Sequence, residues 1–260
     1  LIEVSNVTFR PAGVEKPILR GVSLALAPGE TLGIIGPSAA GKSTLCRLLV
    51  GVWPPTIGTV RLDGAEVHAW NREEFGRYVG YLPQDVELFA GTVRDNIARM
   101  AESHEDAEVI EAAKLADAHD MVLRLVDGYD TQIGVGGARL SAGQRQRIGL
   151  ARALFREPRV VVLDEPNSSL DRIGEAALLR ALKTLRARGT TIVVVAHHAS
   201  MLENVDKLLL LREGKAEAFG PRNDVLAHLN KGGAIDTARA AAPGANARSG
   251  TSTTTHDPRP

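Results

Sequence analysis

Apolar and polar residues roughly alternate over residues 1–9, and the same habit returns over residues 22–27, so both stretches predict strands with one covered face. Pro28-Gly29-Glu30 turns the chain into a compact apolar run, Thr31 to Ile35, which predicts a buried strand. A glycine-containing stretch follows, and residues 45–49 take a helical pattern. Val60-Arg61-Leu62 predicts another strand, with a turn at Asp63-Gly64. Residues 78–82 predict a strand that stops at Pro83-Gln84, which places Gln84 at a strand end. From Thr92 to about Asp127 the texture becomes helical: Val109, Ala113 and Ala116 share one face, and Glu105, Asp106, Glu108 and Glu111 populate the first turns. Ser141 stands where an N-cap should stand, ahead of a helix whose apolar face runs through Ile148, Ala151 and Phe155. Strand patterns return at 160–163, 191–196, 207–211 and 215–219, with a helix over 175–188.

Strands alternating with helices predict an α/β fold built on a largely parallel sheet covered on both faces. Beyond about Lys231 the chain is Ala, Gly, Thr, Ser, Pro and scattered charge, and residues 231–260 are expected to form a disordered tail.

Composition narrows the picture only slightly. With 260 residues, 44% of them hydrophobic, the chain can bury a full core. Lys+Arg and Asp+Glu both number 31, so no overall field attracts a polyanion and a nucleic-acid partner is not expected. Cys46 is the one cysteine, which leaves no disulfide framework and reads as a small buried apolar residue. No apolar run reaches the roughly 18–20 residues that span a bilayer. The chain opens on Leu1 inside a predicted strand, without an initiator Met, and is expected to be a piece of something longer.

The candidate chemistry begins at Gly36-Pro37-Ser38-Ala39-Ala40-Gly41-Lys42-Ser43-Thr44, a GxxxxGK[ST] loop fed by a strand and left by a helix. In that setting backbone N–H groups and the helix N-terminus converge on the phosphates of a nucleoside triphosphate. Lys42 is expected to reach the β- and γ-phosphates and Ser43 to ligate Mg²⁺. Asp164 and Glu165 close the buried strand at 160–163, so Asp164 is a candidate Mg²⁺ ligand and Glu165 the candidate base for the attacking water. Leu140-Ser141-Ala142-Gly143-Gln144 offers a second helix N-terminus, which needs a phosphate from elsewhere. Each motif has a bland reading when taken singly: a glycine-rich turn, a solvated acidic turn, a capped Arg-rich helix.

Together they are less easily dismissed. The phosphate loop, Gln84, the Leu-Ser-Ala-Gly-Gln signature, Asp164-Glu165, Ser169-Leu170-Asp171 and Ala196-His197 occur in the order found in nucleotide-binding domains of ABC transporters, and the resemblance covers roughly residues 1–230. It implies a P-loop NTPase core, an N-terminal antiparallel β subdomain and an inserted helical subdomain at about 92–157. It also implies a head-to-tail pair of such domains, with each ATP held between the phosphate loop of one and Ser141, Gly143 and Gln144 of the other. By the same resemblance Gln84 senses Mg²⁺ and contacts the membrane domain, His197 contacts the γ-phosphate, and Asp171 couples the two sites.

A narrower likeness lies in Gly51-Val52-Trp53-Pro54-Pro55, in residues 80–89 with Gly91-Thr92-Val93 and Asn96-Ile97, and in Asp164-Glu165-Pro166-Asn167-Ser168. These resemble type I secretion ATPase/permeases of the protease- and lipase-exporting kind. That family implies a membrane domain in the same polypeptide, a periplasmic adaptor, an outer-membrane channel, and placement at the cytoplasmic face of the bacterial inner membrane. The alternatives are an exporter of lipids, peptides or drugs, or a soluble non-transport ABC ATPase. Trp53 reads more simply as a packing residue.

Four positions depart from the family pattern. Ala39 and Ala142 stand where Gly is frequent, each adding a methyl near a phosphate, although nucleotide binding is expected to survive. Pro11 replaces the Tyr that stacks on adenine in many relatives, and Val135 stands where many exporters carry Glu. His198, where Arg is common, is assigned no role.

Overall fold

The computed structural model describes residues 1–196 and 198–231. Along the chain run β1 (Ile2–Phe9), β2 (Leu19–Leu26), β3 (Thr31–Ile35), α1 (Lys42–Leu49), β4 (Ile57–Leu62), β5 (Ala65–Glu66), α2 (Arg72–Tyr78) and β6 (Val79–Leu82). Then come α3 (Val93–Ile97), α4 (Asp106–Leu115), α5 (His119–Leu123) and α6 (Ala142–Leu154). The last part holds β7 (Val160–Asp164), α7 (Arg172–Ala187), β8 (Thr191–Val195), α8 (Ala199–Leu202), β9 (Lys207–Arg212), β10 (Lys215–Pro221) and α9 (Arg222–Lys231). Beyond Lys231, the expected disordered tail lies outside the described residues.

Two sheets result. One is antiparallel, in the order β2-β1-β4-β5; the other runs β10-β9-β3-β8-β7-β6, parallel throughout except where β10 pairs with β9. The parallel strands β3, β7 and β8 are buried at every position, which explains why they are near-continuous apolar runs rather than alternating ones. Their period-two geometry divides the interior: Val160 and Val162 face the core beneath α1, while Val161 and Leu163 face the core shared with the helices from α3 to α7.

The structure bears out the expected α/β class and corrects its details. The second strand begins at Leu19 rather than Val22, because a β-bulge interrupts the alternation: Gly21 and Asn6 both hold positive φ, and the pairing register shifts between Val4 and Val7. The helical stretch from Thr92 is broken into separate helices. Arg99 and Met100, at φ 59° and 56°, end the first, and Asp117 at φ 54° follows the second. Thr92 and Asp95 start α3 with reciprocal side-chain to backbone hydrogen bonds of 3.0 and 2.9 Å. Phe155 lies just past the end of α6 yet is buried, because the chain turns extended there and packs the ring inward.

Close approach of α6 to the sheet fixes where the helical part sits. A Cβ on Gly80 would lie 1.9 Å from the Ala153 carbonyl oxygen, so β6 can meet the end of α6 only with glycine there. The Arg99 guanidinium closes the same joint, donating to the carbonyls of Arg152 and Ala153 at the end of α6, and of Gly76 and Val79 beside β6. Burial, with Arg152 and Arg156 nearby, brings its pKa down to about 10, still far above neutrality.

Candidate nucleotide site

The phosphate loop leaves the C-terminal end of β3, the end at which parallel α/β sheets bind ligands. Its glycines are sterically dictated. At Gly36, φ is 150° and a Cβ would lie 2.0 Å from the Leu211 carbonyl oxygen; at Gly41, φ is 101° and a Cβ would crowd Leu19. Pro37, Ser38 and Ala39 are exposed, whereas Ala40 is buried, its N–H donating to the Pro37 carbonyl at 3.3 Å. The loop holds Ala39 at φ 62°, so the methyl expected to crowd phosphate is also strained against its own backbone.

Lys42 opens α1 and curls back over the loop, its Nζ donating to the carbonyls of Gly36 at 2.9 Å and Pro37 at 3.0 Å. Burial lowers its pKa, and the negative charges of Glu165 and Asp164 oppose that fall. Ser43 and Thr44 follow on the first turn of the helix, Thr44 buried beneath it.

Asp164 ends β7, opposite Val195 on β8, and is only 1% exposed. Among the described residues no donor stands in hydrogen-bonding geometry with either carboxylate oxygen. Burial drives its pKa up, the Ser43 hydroxyl nearby partly opposing this and Glu165 adding to it. A buried, unsatisfied carboxylate is costly unless something positive is meant to meet it, and its oxygens suit a hard divalent cation. The residues present therefore fit Mg²⁺. Glu165 follows at φ 51°, and its Oε2 accepts from Gln84 Nε2 at 3.1 Å, so the ends of β6 and β7 bring these two together across 81 positions of sequence.

The signature turn is built differently. Ser141 caps α6, its Oγ accepting the Gln144 N–H at 3.2 Å while Gln144 Oε1 accepts the Ser141 N–H at 2.8 Å. Ala142 begins the helix and Gly143 sits against the Ser169 carbonyl, where a Cβ would be 3.2 Å away. Among the described residues no hydrogen bond or ion pair joins residues 141–144 to residues 36–44. Asp171 caps α7, accepting the Gly174 N–H at 2.8 Å. His197 lies outside the described residues.

Other expected positions fall as follows. Trp53 is a packing residue, stacked on Phe9 at 5.2 Å and covered by the Arg47 guanidinium at 4.7 Å. Pro11 sits in the turn after β1, its carbonyl accepting the Val14 N–H at 3.2 Å, and Val135 is 82% exposed. Cys46 is fully buried. Sequence reasoning missed Arg147, which reaches Asp117 Oδ2 at 3.4 Å and Asp171 Oδ1 at 3.7 Å. It also missed the Tyr81 hydroxyl, buried without a partner and with its pKa raised by burial. For Arg147 the signal in the sequence was its place in the Arg-rich run of α6.

With this geometry in place, residues 19–168 match the family model described as ABC transporter. The chain belongs to the ABC transporter family. Over 225 residues it is 49% identical to the type I secretion system ATP-binding protein PrsD of Rhizobium meliloti strain 1021, the match covering 86% of this chain and 39% of that protein. It is 39% identical over 226 residues to the cyclolysin secretion/processing ATP-binding protein CyaB of Bordetella pertussis strain Tohama I, covering 87% of this chain and 32% of that one. Its fold matches a solved structure of a bacterial Atm1-family ABC exporter with ATP bound, with a TM-score of 0.80 and 34% identity, over 87% of this chain and 40% of the other. The chain therefore spans two-fifths or less of the length of these relatives. The α/β fold with one mainly parallel and one antiparallel sheet, expected from the family resemblance, is the one observed. Among the described residues no helix is long and apolar enough to cross a membrane.

Proposed function

We propose that this chain is the ATP-hydrolysing motor of a type I protein exporter and works as one of a head-to-tail pair. The observation that carries the reading is the meeting of Lys42, Asp164 and Glu165 at the ends of β3 and β7, while Ser141 presents its helix N-terminus elsewhere. Half a site is assembled in one place and half in another, which two copies facing each other would join. Lys42 would exchange its two loop carbonyls for phosphate oxygens. Glu165, steadied by Gln84, would orient the attacking water and take its proton. Ser43 and Asp164, with Gln84 near, would hold Mg²⁺, which when bound supplies positive charge against the β- and γ-phosphates. His197 is assigned to the γ-phosphate and Asp171 to communication between the sites on the family pattern.

The cargo reading rests on the likeness to PrsD and CyaB, whose names place them in secretion. It carries with it a membrane domain, an adaptor and an outer-membrane channel, with this domain on the cytoplasmic face of a bacterial inner membrane. A second reading, export of another cargo, is favoured by the likeness to the Atm1-family exporter.

Glu165→Gln should retain ATP binding and slow hydrolysis by about 10²–10³-fold or more, by analogy with loss of one transition-state contact. Wild-type turnover would remove Glu165 from the mechanism. Mixing a Lys42→Ala chain with a Ser141→Ala chain tests the pair: mixed dimers keep one intact composite site and should recover activity that neither variant has alone. No recovery would sink the head-to-tail arrangement. Cargo is read by reconstituting the whole exporter with a protein substrate and following its translocation.

A further inference from the structure

Gln146 lies in the second turn of α6, five residues beyond Ser141, and is 3% exposed. A buried carboxamide survives in a core only where its polar atoms have partners, and its Nε2 donates to the Pro166 carbonyl at 2.9 Å. Pro166 directly follows Glu165. Proline has no N–H, so this carbonyl is the polar group by which α6 can hold that residue. The turn it holds is unusual: Glu165 sits at φ 51°, a region that a long side chain seldom adopts, and the Ser168 N–H donates back to the Glu165 carbonyl at 3.1 Å. Arg147, the next residue on the helix, reaches Asp171 at the far end of the same segment. Residues 166–171 are thus gripped at both ends by adjacent side chains of α6.

A helix of this length moves as a rigid rod, and Ser141 and Gln146 are separated by about 7.5 Å along it. Displacing the signature turn must therefore displace the Pro166 carbonyl, because the buried hydrogen bond cannot be exchanged for water without opening the core.

We propose that Gln146 is a positioning residue: it ties the helix that presents Ser141 to a second copy's nucleotide to the turn that carries this copy's own Glu165. The proposal rests on the composite site argued above. Through it, nucleotide engaged on one side of the pair sets the carboxylate on the other side, and each site acts on its neighbour within one chain as well as across the interface. Arg147 steadies the far end of the segment and Gln146 the end next to the reacting carboxylate.

The test is Gln146→Met, which keeps length and apolar volume but cannot donate. Turnover should fall about 10- to 100-fold, the loss expected when a reacting group is misplaced by about 1 Å. The KM for ATP should stay within about twofold of wild type and the Hill coefficient should drop to one, a pattern that general loosening of the fold does not produce. Wild-type kcat and Hill coefficient, or a loss confined to KM, would overturn the proposal. Should the Met variant fail to fold, Gln146→Glu serves: only its protonated form can donate to Pro166, so its kcat relative to wild type should rise as pH falls, and a flat ratio would overturn the proposal. If wild type itself shows a Hill coefficient of one and the Glu165→Gln chain forms no dimer with ATP, the composite-site reading fails instead.

Discussion

The carboxamide of Asn96 holds both backbone polar groups of Phe89, its Oδ1 accepting the Phe89 N–H at 2.8 Å and its Nδ2 donating to the Phe89 carbonyl at 2.9 Å. A third bond runs from Nδ2 to the Thr92 carbonyl at 2.9 Å, and the residue is fully buried. The loop that starts at Gln84 is therefore anchored from inside α3, while Phe89 remains 61% exposed, its ring 5.8 Å from the Arg152 guanidinium. Asn96→Leu, similar in size but unable to bond, leaves buried backbone groups unsatisfied. It should cost about 2–3 kcal/mol in urea unfolding. A loss under about 0.5 kcal/mol would mean that water replaces the amide.

Ala39 should be improved by the glycine it lacks. Its left-handed backbone costs an L-residue roughly 1–2 kcal/mol, and glycine returns about 0.5–1 kcal/mol of that as lost chain entropy. Ala39→Gly is expected to stabilise the nucleotide-free chain by about 0.5–1 kcal/mol and to tighten ATP binding a few-fold, read by thermal melts and nucleotide titration. Weaker binding would show that the methyl contributes contact rather than strain.

Asp164 gives a prediction with opposite signs in two assays. Because burial raises its pKa, the folded chain holds this proton to higher pH than the unfolded chain does. Stability is therefore lost as pH rises between the ordinary value near 3.8 and the raised folded value, and the ionised carboxylate remains a burden above it. Asp164→Asn should raise the melting temperature of the nucleotide-free chain at pH 7, while the increase in ATP affinity brought by added Mg²⁺ disappears. An unchanged Mg²⁺ effect would exclude Asp164 as the ion's ligand.

Glu30 behaves in the other direction. Burial pushes its carboxyl up, but the Lys207 ammonium at 2.8 Å and the Ala27 N–H at 2.7 Å outweigh it, and the pKa is lowered. Its contribution is fully present above the ordinary value near 4.5 and lost as pH falls through the lowered one. Glu30→Gln keeps an acceptor for Ala27 and removes only the charge. The variant should be about 0.5–1 kcal/mol less stable at pH 7, the difference shrinking below about pH 4.5 and in high salt. A pH-independent difference would assign the effect to packing.

Much of the site was legible because its requirements are local. Glycine at 36 and 41, lysine at 42 and serine at 141 answer to a tight loop and a helix end within a few residues of themselves. The break after α3 was less legible, since Arg99 and Met100 take left-handed conformations that tertiary contacts impose and residue type does not favour. The bulge opposite Gly21 blurred the start of β2, because the register shift breaks the strict alternation by which a strand is read.

The sequence by itself determined most of the strands, the phosphate loop, the capped signature turn and the family, because each is written in contiguous residues whose spacing matches a backbone period or a hydrogen-bonding need. Only the tertiary structure decided which of them meet. The order β3-β8-β7-β6 sets the end of β7 between the ends of its neighbours, where Gln84 reaches Glu165 and the Asp164 carboxylate is buried without a partner. Packing of α6 against the sheet brings Gln146 to Pro166 and Arg147 to Asp117 and Asp171. Such pairs join residues far apart in sequence. No local period encodes them, since they follow from the free energy of burying two faces of one sheet at once.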